Sequence, residues 1–201
     1  MSRIEELKRK VDELYQAGND SRADWADWLY KNHIFVVAEY AEKLAERYHA
    51  KKELAMAAAM LHDIADTAMK REDPRHEQES QEIARKILGE LNFSEEEIKI
   101  AVDDAIRFHS CRNGEKPESL EGKILATADA IAHLKTDFYA HAVQVLKKEG
   151  ESLEEIKKWA LAKNERDFHD KIFFDEIREK AKPDYERVKD FFSGSGILNL
   201  V

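Results

Sequence analysis

Four residues of the sequence combine metal-binding side chains with strongly apolar surroundings. His62 and Asp63 directly follow the most apolar stretch of the chain, LAMAAAML, and Asp129 lies within the apolar run ILATADAIA. His33 begins an amphipathic segment and shares a face with the apolar residues of that segment. Burying a charged side chain is costly unless the charge is paired or bound to a metal. These residues are therefore expected to meet a specific partner.

A cation is the partner that this set of side chains favours. Two carboxylates about 4 Å apart repel each other by about 4 kcal/mol at an effective dielectric of about 20, so Asp63 and Asp129 favour a cation between them. Two imidazoles and two carboxylates suit a divalent ion that keeps open coordination positions. Considered alone, His62 fits a hydrogen-bonded core histidine better, because a His-Asp pair is common by chance. His133, one turn after Asp129, fits either a residue behind such a site or a core histidine.

The composition predicts one globular helical domain. The chain has 201 residues, of which 43% are hydrophobic and 37% charged, with seven Gly and three Pro. This length fits one compact domain. A single cysteine excludes a disulfide framework and a Cys₂His₂ or Cys₄ zinc module, so a metal site must be built mainly from His and carboxylate. The net charge of −9 disfavours a protein that coats nucleic acid or anionic lipid.

Hydrophobic residues recur at helical spacing along most of the chain, and no run of alternating β-branched residues reaches five positions. We therefore predict an all-α fold with seven to ten helices around one core. The expected helices cover residues 2–17, a short segment near Trp25, and residues 33–48, 52–65, 76–88, 94–109, 120–135, 138–148, 152–182 and 184–192.

Short local signals predict where several helices begin and end. Two serine–glutamate pairs match capping boxes and predict helix starts: Ser94 with Glu97, and Ser152 with Glu155. Gly89 is expected to end one helix and Pro183 to break another. The residues after Gly194 are expected to be loosely held.

The order of His33, His62, Asp63 and Asp129 resembles the H…HD…D signature of the HD superfamily of metal-dependent phosphohydrolases. The resemblance covers about residues 25–135, and the context AMLHDIAD is similar to the family's apolar helix. It implies an HD-domain-like helical bundle in which the four residues bind one metal ion. We expect a single domain over residues 1–201, with an N-terminal helix at 2–17, an HD core at about 25–135 and a C-terminal helical extension at about 136–193.

His76 and His109 extend the resemblance. Some HD proteins have an H…HD…H…H…D order and hold two metals, with the aspartate of the His-Asp pair bridging them. The resemblance therefore implies that His76 and His109 bind a second metal or contact a phosphate. The alternative is that His76 caps a helix and that His109 is a cation at a helix C-terminus, favoured by the helix dipole.

Asp66 is the candidate catalytic residue. In HD nucleotidases and in guanosine tetraphosphate hydrolases, which this stretch resembles, an acidic residue near this position takes part in catalysis, and it is usually the longer Glu. The alternatives for Asp66 are a helix N-cap and a carboxylate that holds His62.

Basic residues near the histidines are the candidates for binding phosphate, because Arg suits bidentate phosphate contacts and Lys a point contact. These candidates are Lys70, Arg71 and Arg75 in a polar loop, and Arg107 and Arg112 on either side of His109. Each of them also fits an ordinary solvated charge. Many HD proteins carry Arg close after the last metal aspartate, whereas Ala130 follows Asp129 here.

The resemblance implies a metal-dependent phosphohydrolase that acts on a small phosphorylated metabolite, a nucleotide above all. Its cofactor would be a divalent ion (Mn, Mg, Co, Ni, Fe or Zn), with one or two ions per chain. Two alternatives stay open: a di-iron HD-type oxygenase, and a non-catalytic HD domain that binds a nucleotide.

We also expect a cytoplasmic protein without membrane or extended nucleic-acid partners. The N-terminus contains no apolar signal segment, and no stretch approaches the roughly 20 apolar residues of a membrane span. The long C-terminal helices suggest a homodimer.

Overall fold

The computed structural model describes residues 2–18 and 20–194, and over these ranges it is helical with no strand. This confirms the predicted all-α class. The helices are α1 (Arg3–Gln16), α2 (Ala26–Leu29), α3 (Phe35–Tyr48), α4 (Lys52–Leu61), α5 (His76–Glu90), α6 (Glu95–Ile98), α7 (Leu120–Lys135), α8 (Phe138–Lys148), α9 (Leu153–His169) and α10 (Asp175–Ser193). Residues 195–201, which we expected to be loosely held, lie outside the described residues.

Helix α7 is the centre of the fold. It packs against α3 and α4, and every residue from 124 to 134 is buried. A helix that is covered all round cannot leave a polar side chain to water, so its polar residues need partners from neighbouring elements. Thr127, Asp129 and His133 are the polar residues of this buried stretch.

Two helices contain π-helical turns, and both turns lie beside predicted site histidines. The helix α2 continues through a π turn at Tyr30–Ile34 into α3, and this turn contains His33. The expected helix start at His33 is therefore wrong, because His33 lies inside a longer helix. Likewise, α6 continues through a π turn at Lys99–Ile106 and ends just before His109. A π turn widens the helix and shifts the direction of the side chains, and such turns are frequent at functional sites.

The helix ends follow the local signals only in part. Both expected capping boxes, at Ser94 and Ser152, are confirmed. Gly89, however, lies inside α5 and does not end it. The chain reverses at Asn92, which adopts the left-handed conformation with φ 58°.

The predicted break at Pro183 is also wrong. Helix α10 passes through Pro183, and the chain breaks earlier, between α9 and α10. A proline inside a helix removes one backbone hydrogen bond. Burial of Tyr185, Val188 and Phe192 on one face of α10 compensates for that loss.

The C-terminal helices build a second apolar cluster against α7. Ala130 and Leu134 of α7 meet Phe138 of α8, Phe168 of α9 and Tyr185 of α10 in this cluster. It holds α9 and the segment that follows it against the polar side of α7. Within the described part of the chain, no helix has the length and apolar character that crossing a membrane requires.

The start of α7 generates a prediction about stability. A Cβ at Gly122 would lie 2.5 Å from Pro117 Cβ and 2.8 Å from Asp104 Oδ2, so Gly122→Ala forces the loop away from α7. We expect a loss of about 1–3 kcal/mol in the free energy of unfolding, measured by denaturant titration. The control is Gly89→Ala, where a Cβ meets nothing within 4 Å. That change should be neutral or stabilising by up to about 1 kcal/mol. Equal stabilities for the two variants would contradict this packing.

Candidate metal centre

His33, His62 and Asp129 converge from three helical segments on one buried point. His33 Nε2 lies 3.1 Å and His62 Nε2 lies 3.8 Å from Asp129 Oδ1. Each residue exposes 2% of its surface or less. One ligand atom from each of the three lies within 4.8 Å of the others, which is a spacing that a single metal ion can bridge.

Unpartnered polar atoms show that the donor set fits a metal ion. His62 Nε2 and Asp129 Oδ1 are buried and have no hydrogen-bond partner within the described residues. His62 Nδ1 lies 2.7 Å from the carbonyl oxygen of Ala59, so the tautomer that donates there leaves the Nε2 lone pair free. Burial lowers the pKa of His33, which favours its neutral form. Neutral imidazoles and a carboxylate are suitable ligands for a divalent transition metal.

A second group shares His62 and adds Asp63 and His109. His62 Nε2 lies 3.5 Å from Asp63 Oδ2, and the rings of His62 and His109 are 5.1 Å apart. His109 Nδ1 lies 2.6 Å from the carbonyl oxygen of Ile106, which repeats the arrangement at His62. Burial, helped by the nearby His62, lowers the pKa of His109 to about 4. A neutral imidazole does not act as the charged helix-end residue that was the alternative for His109.

The turn after His62 separates Asp63 from Asp66. Helix α4 ends at Leu61, and a 3₁₀ turn at Ile64–Thr67 replaces the expected continuation of the helix. Asp66 is fully buried and does not line the cavity described below. Its carboxylate lies 2.9 Å from His76 Nε2 and accepts a 2.7 Å hydrogen bond from Arg71.

Arg71 joins Asp66 to Asp63, because the same guanidinium also contacts Asp63. Burial alone would raise the pKa of Asp63, but Arg71 and the neighbouring imidazoles outweigh it and hold this pKa well below the usual range. His76 therefore contacts the Asp66–Arg71 pair, while His109 lies with His62 and Asp63.

The predicted phosphate-binding residues divide into two sets. Arg71 and Arg112 line the cavity. The other three point elsewhere: Lys70 pairs with Asp24, Arg75 pairs with Asp73, and Arg107 lies over the ring of Phe108. The structure thus brings two of the five candidates to the site.

His133, for which the sequence left open a place behind the site or in the core, lies next to Asp129, and three residues that the sequence did not indicate lie beside these two: Lys163, Asp167 and Lys171. His133 Nε2 lies 3.2 Å from Asp129 Oδ1, and His133 Nδ1 lies 3.1 Å from Asp167 Oδ2. Lys163 Nζ lies 3.1 Å from His133 Nδ1, and Lys171 contacts Asp129 Oδ2. Burial lowers the pKa of His133 to about 3 and that of Lys163 to about 8.

These contacts also fix the charge of Asp129. Burial alone would raise the pKa of Asp129, but His133 and Lys171 outweigh it and hold this pKa well below the usual range. The i,i+4 spacing of Lys163, Asp167 and Lys171 is common on exposed helices, so the sequence carried no signal for their position.

A cavity of about 510 Å³ opens beside these groups. Asp63, His109, Asp129, His133 and Lys171 line its polar side. Its apolar wall consists of Trp25 and of residues from α8 and α9: Phe138, Ala142, Val145, Leu146 and Trp159. This size is within the usual range for small-molecule sites.

Known proteins resemble this chain in sequence pattern and in fold. The model of the HD domain family matches residues 30–134. A crystal structure described as a predicted HD superfamily hydrolase, from an uncultured Thermotogales bacterium, is 22% identical in sequence. The match covers 96% of this chain and 90% of that chain with a TM-score of 0.60, which shows a shared fold. No curated protein shows significant sequence similarity to this chain.

Metal binding can be tested through stability. Adding Mn²⁺ at about 100 times its dissociation constant should stabilise the wild type by about 2.7 kcal/mol, or about 5–10 °C in Tm. Asp129→Asn removes the charge that meets both histidines, so this shift should disappear. The matched control is Asp184→Asn on α10, which should keep the shift because Asp184 pairs with Lys135 and Arg187 and does not line the cavity. An unchanged shift in Asp129→Asn, measured by differential scanning fluorimetry, would contradict the assignment.

The depressed histidine pKa values predict how stability depends on pH. His109 and His133 bind protons below about 4 and about 3 when folded, but near the ordinary value of 6.5 when unfolded. Between pH 4 and 6.5 the unfolded chain therefore binds more protons than the folded chain. The metal-stripped protein should lose stability as the pH falls through this range. His76, with a raised pKa, opposes part of this loss.

The free energy of unfolding should change by up to about 1.4 kcal/mol per pH unit for each of His109 and His133. In urea titrations at several pH values, His109→Gln should reduce the slope of the free energy of unfolding against pH. The control is His49→Asn at an exposed histidine. An equal slope in His109→Gln and the wild type would refute the prediction.

Proposed function

The chain belongs to the HD domain family, and on that premise we propose that it is a metal-dependent phosphohydrolase acting on a small phosphorylated metabolite. The observation that carries the proposal is the pair of unpartnered atoms, His62 Nε2 and Asp129 Oδ1, beside a cavity lined by cationic side chains. The similar protein from the Thermotogales bacterium is described as a hydrolase, which supports the same reaction class.

In this proposal, His33, His62 and Asp129 would hold one divalent ion, with Asp63 as a further ligand beside His62. His109 contributes to a second position through the group that it forms with His62 and Asp63. When bound, the ion supplies Lewis acidity, which polarises a phosphate oxygen and makes water a stronger nucleophile at neutral pH. Asp129 keeps its negative charge in the buried site because the ammonium group of Lys171 offsets the effect of burial.

The remaining site residues position these ligands or meet the substrate. Asp66 holds His76 and Arg71 in place, so we assign it a positioning role instead of the direct catalytic role expected from the sequence. Arg71 and Arg112 line the cavity, where their guanidinium groups can contact phosphate oxygens.

The apolar wall supports a substrate with a flat or apolar part, and a nucleotide is our proposed class. Trp159 and Leu146 also line the cavity and can contact such a group. Acidic residues at the same cavity, Glu72, Glu149 and Glu151, disfavour a long polyanion. We therefore propose a small molecule and not an extended nucleic acid as the substrate.

The test combines elemental analysis of protein purified without chelator with a phosphate-release screen over nucleotides. Asp63→Ala should lower both metal content and phosphate release. The loss of rate should be about 100-fold or more, since even residues that only support a metal ligand cost 10 to 100-fold. Asp184→Asn is the control and should match the wild type.

Other outcomes separate the alternatives. Iron content with oxygen consumption and no phosphate release would favour a di-iron oxygenase. Tight nucleotide binding without turnover in Mn²⁺, Mg²⁺, Co²⁺ or Ni²⁺ would favour a non-catalytic binding domain. Unchanged metal content and activity in Asp63→Ala would refute the proposed function.

A further inference from the structure

Lys171 is a buried cation that reaches the centre of the site from outside the family-matched segment. It follows α9, whereas the HD domain match ends at residue 134. Only 2% of its surface is exposed, yet it lines the cavity together with Asp129. Burying an ammonium group is costly, so its position calls for a specific role.

The backbone around Lys171 is fastened to the same helix that carries Asp129. The Thr127 hydroxyl donates a 3.1 Å hydrogen bond to the Lys171 carbonyl and accepts a 3.1 Å hydrogen bond from the Phe173 N–H. Thr127 is fully buried, as is Ile172 between the two bonded residues. The fold therefore fixes Lys171 relative to Asp129 through its backbone as well as through its charge.

The ammonium group of Lys171 has hydrogen-bonding capacity left over. An ammonium group has three N–H donors. Within the described residues, the hydrogen bond that Lys171 makes goes to Asp129, and Asp167 Oδ1 at 3.7 Å is close enough for an ion pair but not for a hydrogen bond. Lys163 differs, because its Nζ already contacts His133 and both oxygens of Asp167.

The balance of charge points to an anion. Among the described residues, two groups of ion pairs meet at His62: Asp63 and Asp66 with Arg71, and Asp129 and Asp167 with Lys163 and Lys171. With the histidines counted as neutral, including His76 beside Asp66, these seven side chains carry one net negative charge. A bound divalent ion reverses the sign and leaves a net positive charge in a largely buried site. A phosphate group, with a charge of about −1.5 to −2 at pH 7, offsets that charge.

We propose that Lys171 binds the phosphoryl group of the substrate, and that Asp167 and Thr127 position it for this task. The inference rests on the proposed phosphohydrolase function, since it names the residue that would hold the phosphate at that same site. It also assigns a binding role to the C-terminal extension, which supplies a charge that the family-matched segment does not contain.

The test measures binding of inorganic phosphate to the Mn²⁺-loaded protein by isothermal titration calorimetry. Lys171→Gln removes the charge but keeps a side chain that can hydrogen-bond to Asp129. Phosphate affinity should fall by about 10-fold or more, the size expected for losing one hydrogen bond to a charged group. Mn²⁺ content should not fall, because the change removes a positive charge beside a metal ligand. Lys171→Arg keeps the charge and should retain most of the affinity.

Lys135→Gln, a surface lysine of α7, is the matched control and should bind phosphate like the wild type. Unchanged phosphate affinity in Lys171→Gln would overturn the proposal. Loss of Mn²⁺ in parallel would also overturn it, because Lys171 would then serve only to hold Asp129. If Lys171→Gln does not fold, a crystal structure of the wild type with Mn²⁺ and tungstate tests whether Lys171 binds the oxyanion. The oxyanion should lie within hydrogen-bond distance of Lys171 Nζ, and an oxyanion bound elsewhere would refute the proposal.

These outcomes are separate from those for the proposed function. A wild type that binds phosphate through Lys171 but hydrolyses no ester would refute the phosphohydrolase and leave the binding role intact. A wild type that hydrolyses esters while Lys171→Gln binds phosphate normally would refute only the role of Lys171.

Discussion

The burial of one carboxylate, Asp129, is the constraint on which the rest of the site depends. It lies in the middle of a helix that is covered on all sides, where an unpaired charge would cost several kcal/mol. The structure meets this constraint with His33, His133 and Lys171, which approach from three different segments. Oδ1 of Asp129 lies 3.1 Å from His33 Nε2 and 3.2 Å from His133 Nε2 but forms no hydrogen bond with the described residues, so this oxygen is free to bind a cation.

Departures from regular α-helix position the other candidate ligands around Asp129 and His62. His33 lies in a π turn, His109 follows a second π turn, and Asp63 leads from α4 into a 3₁₀ turn. Each departure occurs within or directly after a helix whose remaining turns are regular and well packed. The packing of the regular turns therefore stabilises the less favourable irregular turns. The irregular turns set the direction of the side chains.

The C-terminal helices complete the site that the family-matched segment begins. They contribute the apolar wall of the cavity through α8 and α9, and the charged network of Lys163, Asp167 and Lys171. Phe138 belongs both to the apolar cluster that packs these helices against α7 and to the cavity lining, so the packing of the extension also shapes the cavity.

The sequence by itself determined the helical class, the capped helix starts at Ser94 and Ser152, and the set of histidines and aspartates that could bind a metal, because these depend on local patterns of polarity and spacing. Tertiary structure alone decided the π turn at His33, the passage of α10 through Pro183 and the position of Lys171. A lysine and an aspartate four residues apart look the same on an exposed helix as in a buried site. Only long-range packing determines which face is covered and which carboxylate the ammonium meets.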